Sequence, residues 1–284
     1  MQNFQFYSAK SLQDALDVLS DHDGRHKIIA GGTDLIPDLR AEKIHPAHIL
    51  NILEIEQLRG ITETEDSVRI GPTTTFTEMI ESEVLKRRLP LLVQAASSVG
   101  GPQIRNRGTI GGNLATNGPC ADVLPAVLAL EGSLELQSKK SGSRVVPLQE
   151  ILTAPYQTAI EPDEIITAIL IRKLAPGTRS GFQKLARRNA MAKGRMNISI
   201  ILALDKQQAV SDLRIVPGSV MPVAQRIEAA ENILLGHKPE QSLIDAAAGA
   251  LANEVFKIAG IRWSTEYKEP VLKNVFKRVL QKLL

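Results

Sequence analysis

Two short segments about eighty positions apart carry the residue types most able to do chemistry: Ala30-Gly-Gly-Thr-Asp-Leu35 and Thr109-Ile-Gly-Gly-Asn113. Paired glycines admit positive φ and let a backbone approach a ligand without a Cβ in the way. Successive N–H groups in such a bend form an anion-binding nest, and a helix that starts there adds its partial positive charge. Thr33, Thr109 and Asn113 add side-chain donors. The chemistry this suits is the holding of a diphosphate. Neither segment is a Walker A loop or a Gly-x-Gly-x-x-Gly fingerprint, so neither a P-loop nor a Rossmann dinucleotide site is indicated. A lone glycine pair is usually only a turn; two of them, each beside hydroxyl or amide residues, point to a diphosphate without naming its owner.

Groups that make and break bonds are scarce. A single cysteine, Cys120, excludes an internal disulfide framework, a cysteine-based zinc site and an iron–sulfur cluster held by this chain. The five histidines (22, 26, 45, 48 and 237) show no His-Glu-x-x-His spacing, and only His22 and His26, read as a polar loop, lie near a glycine segment. The net charge of +3 is small but unevenly spread. Residues 172–195 hold eight basic and no acidic side chains, residues 257–284 hold seven basic against two acidic, and the remainder is acidic overall. Such a cluster suits a solvated face, a phosphate-bearing cofactor or an acidic partner surface. With 4% aromatic residues there is no interleaving for base stacking, so no nucleic-acid partner is expected. No apolar run approaches the roughly 18–20 residues of a membrane span, and the first residues lack a signal-peptide layout. A cytoplasmic, multidomain chain is expected.

The elements that position these residues alternate. Ser11 with Asp14 three residues on predicts a capped helix carrying Leu12, Ala15, Leu16 and Leu19 and ending near Gly24. Residues 27–30 read as a strand entering the first glycine pair, after which Asp34 caps a helix with Leu35, Ile36 and Leu39. Residues 49–52 and 68–70 read as strands, 75–82 and 89–98 as helices, and 100–113 as a glycine-rich, helix-poor passage. Asp122 opens an apolar helix closed by Gly132; residues 139–144 form a hairpin tip, and 164–171 a strand. Past Ala175-Pro-Gly177 come strands at 181–186, 196–204 and 213–216, then helices around 223–235, 240–254 and 266–282, as in a separate α+β domain.

Taken together the chain resembles the FAD-binding (medium) subunits of the molybdenum hydroxylases, the xanthine dehydrogenase and carbon monoxide dehydrogenase family. The resemblance runs through Phe4-x-Phe6, Ser11-Leu-x-x-Ala15-Leu, both glycine segments, Gly118-Pro-Cys-Ala-Asp122-x-Leu-Pro125-Ala-x-Leu-Ala-Leu130, Asp163-Glu-Ile-Ile166, Phe182-x-Lys184-x-x-Arg-Arg188 and Ser264-x-Glu-Tyr267. It implies an α+β architecture: a vanillyl-alcohol-oxidase type (PCMH-type) FAD-binding fold of two subdomains, residues 1–58 and 59–174, and a C-terminal α+β domain, residues 175–284. It also implies an oxidoreductase subunit that takes electrons from a [2Fe–2S] small subunit and passes them to NAD⁺, oxygen or another acceptor. Substrate hydroxylation would then occur on a molybdopterin-binding large subunit.

Carried over by position, Ile29, Ala30, Gly31, Gly32, Thr33, Asp34, Leu35 and Ile36 line one side of the FAD diphosphate. Thr109, Ile110, Gly111, Gly112 and Asn113 line the other, each wall through backbone N–H groups. Val99, Gly100 and Gly108 neighbour the dinucleotide, Thr116 the flavin, and Ile166 the flavin or its ribityl. Asp122 accepts from FAD hydroxyls, and Lys184 stands at the flavin's polar edge, where a cation stabilises a reduced anion. On residue type alone Asp122 is equally a helix N-cap and Lys184 a solvated lysine. Cys120 is read as a small filler. No catalytic residue and no metal site are expected. Two other readings stay open: a self-sufficient flavin oxidase of the same fold, and a binding module that docks through residues 172–195.

Overall fold

A computed structural model describes residues 3–21, 26–188 and 191–284. His22 and Gly24 of the expected loop and helix end lie outside them. The chain opens with β1 (Gln5–Ser8), α1 (Leu12–Asp21), β2 (His26–Ile29), α2 (Leu35–Arg40) and β3 (His48–Asn51). The strands form a parallel sheet in the order β1-β3-β2, with Phe6 opposite Ile49 and Ile28 opposite Leu50. Parallel neighbours need crossover connections, which α1 and α2 supply. The expected capping box is present: Asp14 N donates to Ser11 Oγ at 3.1 Å and Ser11 N to Asp14 Oδ2 at 3.0 Å. Ala15, Leu16 and Leu19 then face Leu50, Ile52, Ile55 and Leu58.

Next come β4 (Ile61–Glu63), β5 (Ser67–Ile70), α3 (Phe76–Glu81), α4 (Glu83–Arg88), α5 (Pro90–Ser97), α6 (Pro102–Arg105), α7 (Ile110–Thr116), α8 (Val123–Ala129), β6 (Ser133–Ser138) and β7 (Gly142–Pro147). They are followed by α9 (Leu148–Ile151), the short pair β8 (Leu152–Ala154) and β9 (Gln157–Thr158), and β10 (Ile165–Arg172). An antiparallel sheet of order β4-β5-β10-β6-β7 covers α5, α7 and α8. Every residue of α8 is buried, so it is a core helix without a polar stripe. The passage 100–113 differs from its helix-poor reading, since it contains α6 and the first turn of α7. His26, read as part of a polar loop, is instead a buried residue of β2 whose Nε2 lies 2.7 Å from Pro162 O.

The C-terminal part comprises β11 (Arg179–Ala186), β12 (Gly194–Leu204), β13 (Val210–Gly218), α10 (Glu228–Leu234), α11 (Gln241–Ala259) and α12 (Thr265–Leu283). Alternation along β12 divides its side chains between two neighbours. Met196, Ile198, Ile200 and Leu202 pack on the three helices, whereas Ile201, with Val216 of β13, joins the core built around α5 and α8. A three-stranded sheet is thus covered on both faces, by its own helices on one and by α5 and α8 on the other.

Candidate functional site

The two glycine segments, distant in sequence, meet. A Cβ on Gly31 would stand 1.9 Å from Arg107 O and 3.0 Å from Gly108 Cα, so only glycine lets the strand end lie on the 107–108 backbone. Gly32 has φ +72° and turns the chain into α2. Among the described residues, no protein acceptor takes the N–H groups of Gly31, Gly32, Thr33 or Asp34. Four consecutive donors in a bend form an anion nest.

The second segment is built differently from its sequence reading. It is the start of α7, with Thr109 as N-cap and its Oγ1 accepting from Gly112 N at 3.2 Å. Ile110 N donates to Thr74 O, Gly111 N to Pro72 O and Asn113 N to Thr109 O. The amides of residues 110–113 are therefore committed inside the protein, and among the described residues only Thr109 N of this segment has no acceptor. What this wall offers is the Asn113 carboxamide, whose Oδ1 is buried without a partner. Gly111 is required by packing: a Cβ there would meet Pro72 O at 2.7 Å.

Between the walls runs a narrow neck of about 90 Å³, lined by Ile29, Ala30, Gly31, Gly32, Thr33, Asp34, Leu35, Thr109, Gly112, Asn113 and Thr116. It opens into a wider cleft of about 490 Å³ walled by Ile28, Ile44, Ile52, Ile165 and Ile166 and sharing Ala30, Asp34, Leu35, Gly112 and Thr116 with the neck. Asp34 stands at the α2 N-cap position without a side-chain cap bond. Burial, then Asp38, push its pKa up, while Thr116 and Lys193 oppose them.

Lys193 also lines a third cleft, of about 790 Å³, with Arg187, Arg195, Lys268, Trp263 and Tyr267. Arg195 stacks 5.6 Å over the Tyr267 ring. Trp263 is 94% exposed. Burial holds the Lys268 ammonium below its ordinary range, helped by Arg262 and Arg195. Cys120, read as a small filler, is exposed on the same wall. Behind this cleft Gly194 abuts Asp122 and Lys184. Lys184 Nζ donates to Asp122 Oδ2 at 2.5 Å and to Ser98 O at 2.9 Å, and Asn197 Nδ2 donates to Asp122 Oδ1 at 3.0 Å. Burial raises the Asp122 pKa, while Lys184, Asn197 and Ser98 oppose it. Asp122 occupies the N-cap position of α8 yet makes no cap bond; its carboxylate is turned to the C-terminal sheet.

The predicted residues thus form two groups. Residues 29–35, 109, 112, 113 and 116 line the neck, with Gly111 and Ile166 in the wider cleft beside it. Val99, Gly100, Asp122 and Lys184 lie outside it: Arg105 clamps the carbonyls of Val99 and Gly100, next to the Ser98 carbonyl that holds Lys184. Ile36, Gly108 and Ile110 support the walls, with Ile110 buried and Gly108 packed on Phe76. Thr116 and Ile166, expected together with Lys184 at one ring, line a different compartment from it. Asn197 was missed. Its signal is a carboxamide inside the apolar run of β12.

No His/Cys/Asp/Glu cluster suited to a metal occurs among the described residues. A donor-rich neck that opens into a wider apolar cleft suits a cofactor with a ring system beside a diphosphate, as in FAD. Residues 2–173 match the family described as "FAD binding domain in molybdopterin dehydrogenase", and residues 181–283 the "CO dehydrogenase flavoprotein C-terminal domain". The nicotine 6-hydroxylase medium subunit of Paenarthrobacter nicotinovorans is 33% identical over 97% of this chain and 95% of its own. The xanthine dehydrogenase FAD-binding subunit of Escherichia coli O157:H7 is 33% identical over 97% and 94%. The structure of carbon monoxide dehydrogenase from Hydrogenophaga pseudoflava superposes with a TM-score of 0.92 at 31% identity, covering 99% of this chain and 96% of that one. The chain belongs to the FAD-binding medium subunits of the molybdenum hydroxylase family: it is an FAD-binding oxidoreductase subunit with the α+β FAD fold and C-terminal domain of that family.

Proposed function

We propose that the neck between Gly31–Asp34 and Thr109–Asn113 holds the FAD diphosphate, the four unpaired N–H groups of residues 31–34 being the observation that carries this reading. Asn113 serves from the opposite wall, through its side chain. The flavin lies toward Val99, Gly100, Asp122 and Lys184, and the other ring toward Ile166. Each Asp122 oxygen accepts one hydrogen bond from the protein, which leaves lone pairs for ligand hydroxyls. Lys184, fixed by Asp122 and Ser98, places a positive charge beside the flavin. The boundaries at 58/59 and 174/175 are proposed on the same footing; the separate sheets β1-β3-β2, β4-β5-β10-β6-β7 and β11-β12-β13 support them.

FAD accepts electrons singly and releases them in pairs, so the protein's part is binding, orientation and tuning. On this reading the chain takes electrons from a [2Fe–2S] subunit of a cytoplasmic complex whose molybdopterin-binding subunit oxidises the substrate. It passes them to NAD⁺ or another acceptor. The cations Arg187, Lys193 and Arg195 that line the third cleft support an acceptor with negative charge. The test is to purify the native complex, identify its subunits, and ask which acceptor reoxidises the substrate-reduced flavin. A full-length chain that stays colourless and cannot be reconstituted with FAD would contradict the site assignment; substrate-dependent flavin reduction by the chain alone would favour the self-sufficient oxidase.

A further inference from the structure

We infer that Asn197 is a positioning residue for the flavin site: rooted in the C-terminal sheet, its carboxamide fixes the Asp122 carboxylate and, through it, the Lys184 ammonium. The inference rests on the proposed placement of the flavin beside Asp122 and Lys184. Asn197 is fully buried in a strand whose neighbours are Met196, Ile198, Ile200 and Ile201. A buried carboxamide is costly unless paired, and packing alone is served better by the apolar residues that fill the rest of β12.

Both hydrogens of the Asn197 amide act on the residues that lead into α8. Nδ2 donates to Asp122 Oδ1 at 3.0 Å and to Ala121 O at 3.2 Å. The other carboxylate oxygen takes Lys184, which also reaches Ser98 O. The chain Ser98–Lys184–Asp122–Asn197 therefore links the end of α5, β11, the start of α8 and β12. Gly218, opposite Asn197 on β13, leaves the space that the carboxamide fills. A Cβ on neighbouring Gly218 would lie 2.3 Å from Asn197 Oδ1 and 2.6 Å from Pro125 Cγ. Without the Asn197 donor, Asp122 is free to return to the cap of its own helix, and Lys184 moves with it.

The test uses the full-length chain with FAD as probe, reading the dissociation constant, the visible spectrum and the midpoint potential of the bound flavin. Asn197→Leu keeps the volume and removes the donors; loss of a hydrogen bond to a charged group predicts about ten-fold weaker FAD binding with a shifted potential. Asn197→Asp sets an acceptor against a carboxylate and is expected to bind FAD more weakly still. Should the leucine variant not fold, the aspartate variant carries the same readouts. Asn197→Leu combined with Asp122→Asn is expected to be no worse than Asp122→Asn alone, because the two act in series. A folded Asn197→Leu with wild-type affinity, spectrum and potential overturns the inference, as does strict additivity of the pair. If Asp122→Asn responds while Asn197→Leu does not, the inference alone fails. If Asp122→Asn is itself silent, the flavin placement fails and takes the inference with it.

Discussion

Replacing Gly31 with alanine is expected to cripple FAD binding more than it harms the fold. A Cβ there stands 1.9 Å from Arg107 O and 2.6 Å from Arg107 C, both backbone atoms. Ordinary contacts begin well beyond 3 Å, so one wall must retreat by more than about 1 Å. The 107–108 segment is tied down: Arg107 N and Gly108 N donate to Ile104 O at 3.1 and 2.6 Å, and Gly108 O accepts from Phe76 N at 3.1 Å. The displaced wall is therefore the one bearing the free donors. Overpacking of this kind costs about 1–3 kcal/mol of stability. Misplacing two charge-assisted hydrogen bonds, at about 1.5–3 kcal/mol each, raises the FAD dissociation constant on the order of 10² to 10⁴-fold. Fluorescence titration of the full chain with FAD, with urea denaturation alongside, separates the two effects. Gly112→Ala is the control: its Cβ meets only Thr109 Oγ1, at 3.1 Å, and its amide is already capped, so binding stays within about ten-fold. A Gly31→Ala protein that binds FAD within about three-fold of wild type, or a Gly112→Ala protein that binds worse than it, would refute the reasoning.

Two further outcomes follow from buried and clustered charges. Lys184→Met leaves Asp122, whose side chain is 7% exposed, without its cation; breaking such a pair costs about 3–5 kcal/mol in denaturant titrations. Because burial raises the Asp122 pKa, a protonated Asp122 no longer needs the ammonium. The penalty should thus shrink as pH falls through that raised value, and a penalty that grew in acid would contradict the assignment. Glu63 is held by Lys173, Arg87 and Arg88, Lys173 acting most strongly, which brings its pKa from 4.5 down to about 2. A depressed carboxyl stabilises the fold above its ordinary pKa and loses that contribution as pH falls toward the folded value. The stability gap between wild type and Glu63→Gln, followed by urea denaturation, should therefore close between pH 4.5 and about 2.

What could be read in the sequence was local. Ser11 and Asp14 announce a capping box because both partners lie within one turn, and the alternation of β12 announces a strand. The start of α7 was hidden because a glycine pair reads as a bend, each glycine costing about 1 kcal/mol in a helix. That cost is met by the Thr109 cap and by acceptors at Pro72 and Thr74, which no window around residue 111 contains. The same distance effect disguised the donors: both glycine segments look like open cups, yet residues 110–113 have committed amides whereas those of 31–34 find no acceptor among the described residues. Asp122 has the residue type and position of an N-cap, and its capture by Lys184 and Asn197 depends on a sheet that forms far downstream. Burial patterns were legible; ownership of polar atoms was not.

The account stands on diphosphate recognition by the neck. Competition titration of the apo full-length chain tests it most directly, with FAD as the fluorescent ligand and ADP or riboflavin as competitor. The account predicts that ADP, which carries the diphosphate, displaces FAD, and that riboflavin, which lacks it, binds far more weakly than FAD. Riboflavin binding as tightly as FAD, with ADP unable to compete, would contradict it.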